Sequence, residues 1–172
     1  MTTLVPFTQL ERSNASEEDA PTALESSWDR ADWQRMWLRT QDLDWRTLAL
    51  VPGDEQTSTL AVAHLIARLA GDRGESIRVA DTRALRLNEV EAFLEEARRE
   101  ANRSTRVIFA TKSPSGSLAA VPLAQAADCT ILCVSPGSTS LAATRITIEE
   151  IGRTHFRGSL LVGPSAAPKA RR

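Results

Sequence analysis

Five short apolar runs, at residues 47–51, 76–80, 106–110, 130–134 and 159–162, alternate along the chain with stretches of helical periodicity. Nothing else constrains the fold as tightly. Strands that recur only after an intervening helix pair in parallel through right-handed crossovers, because a tight hairpin cannot join parallel neighbours. The runs are almost wholly apolar rather than alternating, the pattern of a sheet covered on both faces. The predicted fold class is α/β: a doubly wound, mostly parallel five-stranded sheet flanked by helices.

The crossover helices are predicted at 58–70, 88–102, 121–127 and 138–152. In the first, Thr57, Ala61, His64 and Arg68 form the outward stripe and Gly71 ends the helix. Asn88 caps the second, with Glu91 three residues on; Leu87, Val90, Leu94, Ala97 and Ala101 make its inner face. Leu141, Ile148 and Ile151 point inward in the last. An N-terminal helix at 26–41 carries Trp33 and Trp37 at i, i+4 spacing. Such a stripe is core or an interaction surface. All four tryptophans, with Trp28 and Trp45, fall between positions 28 and 45.

At 172 residues the chain divides into a flexible N-terminal segment (1–23), one α/β domain (24–163) and a flexible basic tail (164–172). A net charge of −1 supplies no field to attract nucleic acid or anionic lipid. No apolar run reaches the ~18 residues of a membrane-spanning helix, and no signal-peptide pattern is present. Cys129 and Cys133 share one strand face about 13 Å apart, at ~3.3 Å per residue, beyond disulfide reach. With no neighbouring His they make no zinc site. The expectation is a cytoplasmic protein with buried thiols, no metal and no membrane insertion.

Ligands of such sheets lie at the carboxyl ends of the strands. That edge is built from residues 52–59, 81–86, 110–116 and 135–139. The first of these has the layout of a phosphate-binding P-loop, strand then Gly turn then Ser/Thr then helix, without the residues that make it work. A Walker A loop needs a Lys beside the Ser/Thr and bare glycines that approach phosphate. Pro52-Gly53-Asp54-Glu55-Gln56-Thr57-Ser58 has Gln56 or Thr57 at the Lys and Glu55 at the second Gly. Lys112 and Lys169 are the chain's only lysines, so no realignment restores it. No Gly-x-Gly-x-x-Gly follows the first strand, and no Gly-x-Ser-x-Gly elbow surrounds Ser113, Ser115 or Ser117.

Over positions 25 to 163 the layout resembles the MinD/ParA-like P-loop ATPases. It is most similar to the cytoplasmic domain of bacterial tyrosine kinases from polysaccharide export systems. That family's Walker A reads Pro-Gly-Glu-Gly-Lys-Ser/Thr-Thr. Its second motif is an apolar strand ending in Asp-x-Asp-x-x-Arg; here Val79-Ala-Asp-Thr-Arg-Ala-Leu-Arg86 keeps Asp81 and puts Arg83 at the second Asp. Its Walker B strand ends in Asp-Thr-Pro-Pro; here Val107-Ile-Phe-Ala-Thr-Lys-Ser-Pro114 keeps Thr111, with Ala110 at the Asp and Lys112 after it. Residues 126–139 follow its Ala-Asp, apolar strand, Gly-x-Thr run. A helix carrying Glu and Arg precedes the family's first strand and contributes to self-assembly; here Glu25, Trp28, Trp33 and Trp37 occupy its place. The chain has no Tyr, so the family's tyrosine cluster is absent.

Phosphoryl transfer is mostly positioning and charge stabilisation by Lys and a metal. This chain lacks the Lys and two of three family acids, and Asp54 and Glu55 add negative charge at the phosphate position. Two like charges about 4 Å apart cost on the order of 4 kcal/mol at an effective dielectric of 20. The resemblance therefore implies a pseudo-enzyme without cofactor. Its implied partners are a membrane polysaccharide co-polymerase, an active sibling kinase or further copies of itself. It would sit in the cytoplasm, recruited to the membrane's inner face by a partner. The alternative is a MinD/ParA-type nucleotide switch in which Arg83 or Lys112 replaces the missing Lys, with amides at Thr57–Thr59 as the anion site. A plain anion-binding α/β module is a third. Asp81 is either a catalytic remnant or a turn cap paired with an Arg.

Overall fold

The structure, a computed structural model, describes residues 30–101 and 105–163, without the side chains of 30–32. The two flexible segments predicted at the ends, and Glu25 and Trp28, lie outside the described residues.

The described chain is α1 (Arg30–Gln41), β1 (Thr47–Pro52), α2 (Thr59–Gly71), β2 (Ile77–Asp81), a 3-10 turn (Leu87–Glu89), α3 (Val90–Ala101), β3 (Arg106–Ala110), α4 (Ala120–Ala126), β4 (Cys129–Val134), α5 (Leu141–Ile151), a second 3-10 turn (Arg153–His155) and β5 (Phe156–Leu161). The strands form one sheet in the order β2-β3-β1-β4-β5, and every pairing is parallel. The α/β fold expected from the alternation is the fold observed. β1 is central, and all six of its residues are buried. Its crossover alone runs toward β2; every later one runs toward β5. The winding therefore changes direction at the carboxyl end of β1, where crevices form in such sheets.

Successive strand residues point to opposite faces, and the core divides accordingly. Ala49, Val51, Val107 and Phe109 face Val90, Phe93 and Ala97 of α3 and Leu123 of α4. The Phe93 and Phe109 rings meet edge-on, 5.2 Å between centroids. On the other side, Leu48, Leu50, Ile108 and Ala110 meet Val62, Ala63 and Ile66 of α2, together with Trp33, Trp37 and Trp45. Trp37 is fully buried and Trp33 is 3% exposed, so both rings belong to this chain's own core. Trp45 Nε1 donates to the Thr40 carbonyl at 3.0 Å, and the Arg106 guanidinium lies 5.0 Å from the Trp45 ring centre.

The far end of the sheet is tied by Asp128. Its Oδ2 accepts from the Arg46 amide at 3.0 Å, the Thr47 amide at 2.8 Å and the Thr47 hydroxyl at 2.9 Å. One carboxylate thus holds the start of β1 beside the start of β4, away from the cleft.

Several local expectations are corrected. β5 begins at Phe156, not at residue 159. The Arg157-Gly158 step reads as loop in sequence, but a register shift between Thr130 and Ile131 admits it to the sheet. The α3 entry is capped by Glu89, whose Oε2 accepts the Arg86 amide at 2.9 Å, rather than by Asn88 with Glu91. The chain is already turning at Leu87, which is 56% exposed instead of inward. Leu141, expected inward, is 87% exposed at the first turn of α5. Thr57, placed on the outward stripe, is 5% exposed. It precedes the helix, which starts at Thr59 behind the Ser58 cap, so the helical stripe does not extend to it.

Candidate functional site

A cleft of about 450 Å³ opens at the carboxyl edge, lined by Glu55 to Thr59, Arg83, Thr111, Lys112, Ser113 and Gly116. The structure thus gathers three of the four predicted edge segments. The fourth, 135–139, lies against the back of the loop instead of on the cleft wall.

The loop is closed by its own side chains. Asp54 Oδ1 accepts the Gln56 amide at 3.1 Å and the Thr57 hydroxyl at 3.2 Å. Its Oδ2 accepts the Ser140 amide at 3.3 Å, reaching the cap of α5. Thr57 Oγ1 also lies 3.1 Å from Ser135 Oγ and 3.3 Å from Thr139 Oγ1. Thr139 Oγ1 in turn accepts the Ser135 amide at 2.8 Å. The hydroxyl at the Walker A Ser/Thr position is therefore buried in a Ser/Thr cluster against the segment leading into α5.

Gly53 is required by the close approach of the chain's own side chains. Its amide donates to the Cys133 carbonyl at 2.8 Å. A Cβ there would stand 2.8 Å from Thr144 Oγ1 and 3.1 Å from Thr139 Cγ2. Ser58 caps α2, accepting the Ala61 amide at 3.4 Å, and Thr59 Oγ1 donates to the Thr111 carbonyl at 2.7 Å.

Asp81 makes a two-residue turn and an ion pair at once. Its Oδ1 accepts both the Arg83 amide and Nε at 3.0 Å, and its Oδ2 accepts Nη2 at 2.9 Å. That forked geometry fixes Arg83 in plane with the carboxylate. Ala110, at the Walker B position, offers only its carbonyl, which accepts the Thr82 amide and hydroxyl, each at 3.0 Å. Thr111 Oγ1 donates to the Leu50 carbonyl at 3.0 Å.

Lys112 is exposed at the mouth, and no ion pair involves it among the described residues. Glu55 is its neighbour across Gly116. A Cβ on that glycine would lie 3.2 Å from Glu55 Oε1 and 3.6 Å from the Lys112 stem. His64, exposed on α2, has its pKa lowered by partial desolvation; the Asp81 charge opposes this and Arg68 adds to it. Burial pushes the Cys133 thiol up to about 12 and, with the Asp128 charge adding and Arg157 opposing, the Cys129 thiol to about 11. Among the described residues no group of three His, Cys, Asp or Glu is placed to hold a metal ion, and no helix is long and apolar enough to cross a membrane.

Ser135, Thr139, Ser140 and Thr144 form the loop's back wall. Sequence reasoning placed the first two at the edge but found no contact of theirs with the loop, since contacts so distant in sequence leave no local signal. No protein-family model matches the chain, and neither does any curated protein.

Proposed function

We propose that this chain is a P-loop-like domain that does not hydrolyse nucleotide and acts through contacts with other proteins. The observation that carries the reading is the position of Asp54. In a working loop, amides and a hydroxyl converge on phosphate oxygens. Here a resident carboxylate takes the Gln56 amide, the Thr57 hydroxyl and the Ser140 amide. An incoming phosphate meets the Glu55 charge on the cleft wall and finds these donors already taken. Arg83 is held by Asp81. No carboxylate stands at Ala110 to hold or orient a metal. What remains is a rigid scaffold with its loop closed.

The layout's resemblance to the tyrosine kinases of polysaccharide export extends the reading to a partner class. We infer a regulatory or assembly role beside a membrane co-polymerase or an active sibling kinase. Since the Trp33 and Trp37 rings are buried, the contact surface is formed by other residues.

Thermal unfolding with and without Mg-ATP, ADP and GTP tests the proposal. A ligand at 100 times its dissociation constant stabilises by about 2.7 kcal/mol, a shift of several degrees. No shift is expected. A Mg-dependent shift abolished by Lys112→Ala would instead favour the nucleotide-switch reading, which draws on the one cleft cation without an ion pair among the described residues.

A further inference from the structure

We propose that the outer edge of β5 is the interface of a symmetric dimer, formed by antiparallel pairing with β5 of a second copy. Among the described residues β5 is hydrogen-bonded to β4 alone, and the sheet ends there. The Val162 amide donates inward to the Val134 carbonyl at 2.7 Å. In a parallel ladder the alternate residues, Ser159 and Leu161, then turn their N–H and C=O groups outward. Arg157, Gly158, Ser159 and Leu161 are all exposed.

Edge strands are ordinarily protected by charges, proline or a covering element, because open backbone groups recruit another strand. β5 has Arg157 near its start and thereafter only Gly158-Ser159-Leu160-Leu161. Leu161 is 60% exposed at the carboxyl end. Leu161 thus sets one large apolar side chain beside a backbone edge that is unpaired among the described residues.

The edge also indicates what covers it. A row of free N–H and C=O groups is satisfied by an extended strand, and β5 is self-complementary in that role. A two-fold axis through Ser159 sets Ser159 against its copy and Arg157 against Leu161. Residues whose backbone groups point outward then meet one another, and no like charges stand opposed across the ladder. A twofold homodimer is the commonest closed assembly. The inference is independent of the cleft, since it is read by mass and not by nucleotide response.

Sedimentation of the full chain across micromolar concentrations should show a monomer–dimer equilibrium. Leu161→Lys, at an exposed position, should weaken it about tenfold or more while leaving the melting temperature of the monomer unchanged. Ser159→Cys gives an independent reading. Hydrogen-bonded antiparallel pairs set Cα atoms about 5.5 Å apart, within disulfide range. Mild oxidation should therefore yield a covalent dimer, while the unsubstituted chain, whose own thiols are buried, yields none. A chain that stays monomeric, a dimer indifferent to Leu161→Lys, or a Ser159→Cys variant that forms no covalent dimer would each overturn the proposal. So would an edge that binds only a strand from another protein.

Discussion

Replacing Asp54 by Ala separates a loop that is merely degenerate from one closed by its own anion. The three hydrogen bonds it accepts, at 3.1, 3.2 and 3.3 Å, are longer than the ~2.7–2.9 Å of strong ionised pairs. Each is therefore assigned the lower end of its range, about 0.5–1 kcal/mol. Their loss amounts to about 2 kcal/mol. In a chain of this size about 1 kcal/mol moves the melting temperature by roughly 2–4 °C, so Asp54→Ala should melt about 4–8 °C lower. The Gln56 and Ser140 amides then lose their acceptor and the loop loses one of its two carboxylates, while the buried Thr57 hydroxyl keeps Ser135 Oγ as its partner. Inorganic phosphate at ten times its dissociation constant should return about 1.4 kcal/mol, most of the loss. The native chain should barely respond. The assay is thermal unfolding of both proteins in phosphate and in chloride at matched ionic strength. Equal phosphate stabilisation of both proteins, or a variant that melts within about 1 °C of the native chain, would refute the reasoning.

Gly53→Ala should destabilise by about 1–3 kcal/mol, as overpacking does, because its Cβ meets Thr144 Oγ1 at 2.8 Å; adding Thr144→Ala should recover part of that in denaturant titration. Trp37→Ala should cost about 3–5 kcal/mol, read as a lower urea midpoint at unchanged slope, since the ring is fully buried. A cost under about 1 kcal/mol would place Trp37 outside the core. Cys129 and Cys133 should resist thiol reagents in the native state and react on unfolding, because both thiols are buried. The Cys133 pKa is raised from 9.0 to about 12 by burial, so the folded state favours the neutral thiol. Its contribution is complete below pH 9 and lost between pH 9 and 12, and Cys133→Ser should flatten that alkaline decline.

Strand–helix alternation carried most of the fold, since period and run length are local properties of sequence. Asp81 turned out to cap its turn and pair with Arg83, the plainer of its two readings, as a two-residue spacing allows. Failures lie where long-range context decides. Leu141 has inward periodicity but sits on the first turn of α5, at the sheet's open end. Phe156 to Gly158 contain Arg and Gly and look like loop, yet an edge strand with one exposed flank tolerates both. The missing Lys and Asp of the resembled motifs were legible residue by residue. The closure of the loop by its own side chains was not, because Thr57 meets Ser135 and Thr139 only once β1 and β4 lie side by side.

The strand order has a consequence for how the chain is made. Synthesis delivers the centre of the sheet first and its two neighbours only third and fourth. β1 and β2 emerge early but are not adjacent in the finished sheet; each waits for β3, and β1 waits again for β4. A nascent chain released before Arg106 therefore holds two apolar strands and no partner for either. Closing such long loops is the slow, entropically costly part of folding. The Asp128 clamp can form only once the start of β4 has been made. Until β3 is made, the segment Thr47–Pro52 has only helices α1, α2 and α3 to cover it and no strand beside it, so this is the interval in which its backbone is least satisfied.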